Sequence, residues 1–145
     1  MSLNADQLMA EADDLCQRKG LRLTPTRRRV LELIVNSPGG AKAYDLLDAL
    51  TAENASARPP TIYRAIDFLM SHGLIHRIES LNAYVSCTCP EHAQAYQLLI
   101  CKTCGLVQEL HEESLDQQLT AAAQREGFTA QHKTIEVHGL CKACQ

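Results

Sequence analysis

Cys101-x-x-Cys104 and Cys141-x-x-Cys144 constrain this chain more than any other feature. Two residues between cysteines let one tight knuckle offer both sulfurs to a single ion, and two knuckles complete a tetrahedron. Four thiolates leave no open coordination position, so the set reads as a structural zinc site. The 36 residues between the knuckles include a predicted helix and a predicted strand that follows it, enough chain to bring the ends together. Thioredoxin-type redox chemistry, the other use of a CxxC, requires a βαβ setting that this pattern does not supply. Six of the seven cysteines fall within residues 87–144, and Cys16 stands apart. The opening MSLNADQLMAEADDL lacks the basic start and apolar run of a secretory signal, so a cytoplasmic location is expected. There, clustered cysteines are metal ligands before they are disulfides. No run near 18 apolar residues exists, which excludes a membrane-spanning helix and membrane partners of that kind.

The net charge of −3 argues against a general basic coat for nucleic acid, but the charge is unevenly placed. Residues 1–85 hold ten Lys/Arg and ten Asp/Glu, whereas residues 86–145 hold four and seven. Six of the basic groups lie between Arg18 and Arg29 with no acid among them. Such a run is a solvated helix face unless a reading element lies beside it.

One is predicted. Leu3–Lys19 reads as a helix with Leu8, Ala12 and Leu15 inward and Cys16 beside them, ended by Gly20. Thr24-Pro25 starts a second helix, with Val30, Leu31, Ile34 and Val35 as its stripe, stopped by Pro38-Gly39-Gly40. A third runs from Lys42 to Glu53 on Leu46, Leu47 and Leu50. The fourth begins at Pro59-Pro60 and ends at Gly73, with Ile62, Ile66, Leu69 and Met70 inward. Thr61, Arg64 and Asp67 share its opposite side, with Tyr63 on the flank. Leu74–Ile78 and Ala83–Cys87, joined by a polar turn, read as a hairpin.

This order is that of a winged helix-turn-helix, in which a recognition helix enters the DNA major groove. Arg64 then points to base edges, Thr61 and Tyr63 lie in the same turn, and Arg27, Arg28 and Arg29 face the backbone. A helical bundle that contacts a protein has the same helix count. After residue 90, Gln97–Ile100 and Leu106–Leu110 read as strands and Glu112–Glu126 as a helix. In that helix Ser114 is a possible start signal, and Leu115 and Leu119 lie on the apolar side. Phe128–His138 reads as a further strand. The expected architecture is α+β. It pairs an N-terminal winged helix-turn-helix domain over residues 1–86 with a small C-terminal α+β domain over 87–145. About 55 residues form a marginal core alone, so the second domain is expected to need a metal or a partner chain.

A second candidate metal set is mixed: His76 on the first hairpin strand, Cys87 and Cys89 at the end of the second, His92 beyond, and Glu109. Thiolate biases such a set towards zinc. One thiolate and one carboxylate neutralise Zn²⁺, whereas four thiolates leave −2, so the mixed site should be the more labile sensor. Residues i and i+2 of a strand face the same way, so either Cys87 or Cys89 can serve. His111, His132 and His138 read as surface histidines rather than a further site, and Cys16 as a small core residue.

Several segments together resemble the ferric uptake regulator family, in its zinc-responsive branch. They are Leu23-Thr24-Pro25-Thr26-Arg27, Ala43-Tyr44-Asp45-Leu46-Leu47, Pro60-Thr61-Ile62-Tyr63-Arg64-Ala65, His76-Arg77-Ile78-Glu79-Ser80, Cys101-x-x-Cys104-Gly105 and His138-Gly139-Leu140-Cys141-x-x-Cys144. The resemblance implies a homodimeric repressor, not an enzyme, that binds operator double-stranded DNA when zinc is present and shuts off zinc-uptake genes. It implies about two zinc ions per chain. Cys101, Cys104, Cys141 and Cys144 match the structural ligands, and His76, Cys87, His92 and Glu109 the regulatory ones, with Cys89 a possible substitute. Tyr44 and Arg64 match base-contacting positions. The iron sensors of the family carry a His-rich stretch before the first CxxC. Ala93-Gln94-Ala95-Tyr96 stands there instead, which favours zinc over an iron-responsive member.

On this reading zinc held by His76, Cys87, His92 and Glu109 sets the angle between domains. In a dimer that angle sets the spacing of two recognition helices. Zinc affinity becomes DNA affinity by linkage. A zinc-dependent hydrolase or deaminase with Glu109 as general base needs an open metal position and a substrate pocket, and the sequence displays neither.

Overall fold

A computed structural model describes residues 4–88 and 95–145 of the chain. It divides into two compact units, Met1–Pro90 and Glu91–Gln145. Cys87 belongs to the first, because its N–H donates to the Leu74 carbonyl at 2.9 Å and prolongs the hairpin ladder.

The first unit opens with α1 (Ala5–Arg18), started by a reciprocal cap in which Asn4 and Gln7 each bond the other's backbone N–H. Thr24 caps α2 (Pro25–Val35) by accepting from Arg27 N–H, with Pro25 at the first position. α3 (Ala43–Glu53) and α4 (Pro59–Ser71) follow, each without a side-chain cap. Ala12, Leu15, Val30, Leu31, Ile34, Leu46, Leu50, Ile62, Ile66 and Leu69 meet in one core. Cys16 is buried there, as expected. Met70 differs: it is 39% exposed, and Ala65 takes the fourth inward place on α4. Met70 lies at the rim of the stripe, and the small Ala65 fits closer to the helix beneath.

The wing is β2 (Ile75–Ile78) and β3 (Ala83–Ser86), antiparallel, with His76 opposite Val85 and Arg77 opposite Tyr84. A two-residue strand β1 (Ala41–Lys42) adds to the outer side of β3, giving the order β1-β3-β2. The sequence reading has no β1, since two residues carry no periodicity. Gly40, at φ +94°, makes this third strand possible. A Cβ there would lie 3.0 Å from Ile78 Cδ1 and 3.1 Å from Ala83 Cβ. The unit is a winged helix-turn-helix.

The second unit pairs β4 (Gln97–Cys101) antiparallel with β5 (Val107–Leu110), crosses through α5 (Glu113–Arg125), and returns as β6 (Glu136–Gly139) parallel to β4. A parallel return requires such a crossover. Gln97 is 2% exposed, and its amide holds both Glu112 N–H (3.0 Å) and Glu112 C=O (3.4 Å). It orders the start of α5 in place of Ser114, whose hydroxyl bonds the Glu112 carboxylate instead.

Two expectations for this unit are corrected. Of the predicted Phe128–His138 strand only the last three residues are strand, as the start of β6; before it, Lys133 is drawn to Thr120 (2.7 Å) and Asp116 (2.9 Å) on α5. That side-chain anchor ties Lys133 to the helix, and the chain reaches β4 only at Ile135, whose C=O accepts from Leu98 N–H at 3.0 Å. Leu115 and Leu119 are also not buried: α5 contributes no buried residue.

Candidate metal centres and nucleic-acid surface

The Cys101–Cys104 knuckle closes β4 into β5. Cys101 N–H donates to Leu106 C=O at 2.9 Å and Gly105 N–H to Cys101 C=O at 3.1 Å, with Gly105 at φ +75°. A left-handed residue is what lets the chain double back within four positions. The parallel pairing then brings the second knuckle to the first. Gly139 stands opposite Cys101, Lys102 N–H donates to Gly139 C=O at 2.8 Å, and Cys141 starts the short 3-10 turn Lys142–Cys144.

The four sulfurs lie within 4.8 Å of one another, and Cys104 Sγ is 3.7 Å from Cys141 Sγ. A zinc tetrahedron with 2.3 Å bonds has sulfur–sulfur edges of about 3.8 Å, so the donor set fits a closed zinc site. The thiols ionise unequally. Backbone N–H groups of Cys104 and Cys141 aimed at its sulfur hold Cys101 down to about 6. The Leu106 N–H lowers Cys104, but the sulfurs of Cys101 and Cys141 outweigh it and leave that thiol raised. Cys144 is pushed up to about 12 by the sulfur of Cys141, then those of Cys104 and Cys101. Four like groups at this spacing cannot all be charged without a cation among them.

His76 and Cys87 share one face of the wing sheet, for His76 stands opposite Val85 and Cys87 follows two residues on. Both are buried, and their ligating atoms lie within 4.8 Å of each other. Glu109 sits on β5 of the second unit, where its Oε1 is 2.6 Å from His111 Nε2. His92 and Cys89 lie outside the described residues. His132 Nε2 meets Thr134 Oγ1 at 2.9 Å, and His138 Nε2 is 3.5 Å from the Glu136 carboxylate. Among the described residues these three histidines join no cluster of three or more ligands.

On the first unit, Tyr44 (72%) and Tyr63 (52%) are the most exposed aromatic groups of α3 and α4, with Thr61 and Arg64 exposed beside Tyr63. Arg64 makes no ion pair among the described residues. Arg27 and Arg28 are placed differently. The Arg27 guanidinium lies 3.8 Å over the Phe68 ring, and Arg28 pairs with Asp13. Arg29 pairs with Glu53 and holds that carboxyl below the usual range. These pairings join residues 15 to 41 positions apart, and no local sequence signal marks them.

The profile of the ferric uptake regulator family matches residues 18–138. The chain belongs to the ferric uptake regulator family. The match runs from the end of α1 through the rest of the winged helix and the first cysteine knuckle. The chain is 43% identical over 141 residues to the zinc uptake regulation protein of Escherichia coli K12, covering 95% of this chain and 81% of that protein. It is 28% identical to the peroxide operon regulator of Bacillus subtilis over 94% of this chain and 92% of that one. Among solved structures, a zinc uptake regulator complexed with zinc and DNA superposes with a TM-score of 0.89 at 40% identity, covering 98% and 95% of the two chains. The holo form of the protein named XcZur gives 0.87 at 44% identity over 95% and 96%. Members of this family are transcription regulators, and an enzymatic role is not supported.

Proposed function

We propose that this chain is a cytoplasmic, zinc-responsive transcriptional repressor, which binds operator DNA as a homodimer when zinc-loaded and represses zinc-uptake genes. The observation that carries the reading is its near-full-length likeness to a zinc uptake regulator bound to zinc and DNA. No helix among the described residues is long and apolar enough to cross a membrane.

About two zinc ions per chain are proposed. Cys101, Cys104, Cys141 and Cys144 hold the structural one. His76, Cys87, His92 and Glu109 hold the regulatory one, with Cys89 an alternative donor. The sulfur donor at Cys87, buried beside His76, supports zinc over iron at this second site. Tyr44, Thr61, Tyr63 and Arg64 meet the DNA, Arg64 at a base edge.

Zinc supplies a Lewis-acid centre that binds these donors together. The chain's own residues do the rest. Cys87 and His76 come from the wing of the DNA-reading unit, Glu109 from the other unit. An ion that needs donors from both favours the DNA-competent arrangement by the difference in its affinity for the two states.

Operator binding titrated with zinc and then with a strong chelator tests the reading. Binding should appear with zinc and vanish with chelator, and a promoter fragment bound equally well under both conditions would overturn it. His76→Ala should keep one zinc per chain while losing zinc-dependent binding. An unchanged zinc response in that variant removes His76 from the regulatory site.

A further inference from the structure

Three consecutive arginines at the start of α2 reach three different helices. Arg27 lies over the Phe68 ring of α4, its Nη1 donating to the Arg22 carbonyl at 2.8 Å. Arg28 Nη2 donates to the Asp13 carboxylate of α1. Arg29 Nε donates to both oxygens of Glu53, the last residue of α3, at 2.9 and 3.0 Å, and its Nη1 to Glu32 at 3.0 Å. Successive residues on a helix are about 100° apart, so the three side chains fan outward from one turn. That turn touches α1, α3 and α4 together.

A phosphate anchor needs a cation whose charge and donors are turned to solvent. Here three carboxylates match the charges of Arg28 and Arg29, and a ring covers one face of Arg27. Lys42 and Arg64, by contrast, make no ion pair among the described residues. The arginine pairs are roughly two-fifths exposed, a setting in which such pairs add little stability. What a forked, several-point contact adds is direction.

We propose that Arg27, Arg28 and Arg29 are positioning residues, which set α3 with its Tyr44 and α4 with its Thr61, Tyr63 and Arg64 at the angle that DNA reading requires, and do not themselves anchor phosphate. The inference rests on the operator-binding reading above.

A charge swap tests it in the full-length zinc-loaded protein, with binding to a labelled promoter fragment as the readout. Arg29→Glu is expected to weaken binding about tenfold or more, and Arg29→Glu with Glu53→Arg to return it to within about fivefold of wild type. If Arg29→Glu alone fails to fold, the folded double variant against wild type decides. A folded swap more than about fivefold weaker than wild type overturns the proposal. In a second measurement, Arg28→Gln should leave the salt dependence of binding unchanged. A slope reduced by about 0.9 per chain identifies a lost phosphate contact and overturns the proposal as well. A wild-type chain without zinc-dependent binding overturns the repressor reading and this inference with it.

Discussion

At the scale of single residues, the chemistry is concentrated in cysteines whose environments differ sharply. Cys16 lies in the helical core, where burial and then the Asp13 carboxylate push its thiol up. It should resist alkylation at neutral pH until the first unit unfolds, when peptide mass spectrometry will register a label on Cys16. The four clustered thiols behave otherwise. Cys144 up at about 12 and Cys104 raised are protonated near neutrality unless a cation displaces those protons. Zinc binding there should therefore release protons, and affinity should fall as pH falls, because protonation favours the thiols over the complex. Zinc retention measured between about pH 8 and pH 5 checks the sign. Cys141→Ser should remove this zinc altogether, reducing metal content by about one ion per chain and lowering the melting temperature. The spacing of these cysteines in the sequence suffices to find them, since a knuckle is local. The Arg29–Glu53 and Arg27–Phe68 contacts are not legible in that way, because nothing near either residue names a partner 24 or 41 positions off.

Secondary-structure elements show where periodicity is enough and where it stops. The stripes of α2, α3 and α4 appear in the sequence because each buries one face against the same core. β1 does not appear, and the stretch before β6 is misread as strand. Both depend on what a neighbouring element offers, an edge at β3 in one case and Asp116 with Thr120 in the other. The regulatory set is legible only in part. His76 and Cys87 meet because of the hairpin register, which the turn length between β2 and β3 sets. Two substitutions test how elements are held. Gly40→Ala forces a side chain into φ +94° and against Ile78 and Ala83, and should cost more than about 1 kcal/mol in chemical denaturation. Gln97→Leu takes the acceptor from the Glu112 N–H and one of the two donors from the Glu112 C=O, which keeps Leu115 N–H, a loss of about 1–3 kcal/mol. An unchanged midpoint in either variant refutes the role given to that residue.

Across the whole molecule, the second unit leaves large apolar side chains open. Phe128 is 67% exposed, Val137 and Leu140 each 52%, and Leu119 44%, all in the second unit. A unit of this size leaves so much apolar area open only where another surface covers it. In a homodimer a second copy covers it, and the consequence reaches DNA. Two recognition helices on one rigid particle bind half-sites with an avidity that one helix lacks, by a factor on the order of 10² or more. Phe128→Asp should therefore act at a distance. It should shift the zinc-loaded protein from dimer to monomer in sedimentation experiments and lower operator affinity by about that factor. The four-cysteine zinc should stay in place, since its ligands lie at the end of β4, in the knuckle that follows it and in the final turn, and Phe128 in none of these. A variant that remains dimeric would move the interface away from this face. A variant that becomes monomeric yet binds the operator as tightly as wild type would show that one recognition helix suffices, and the need for a dimer would fall.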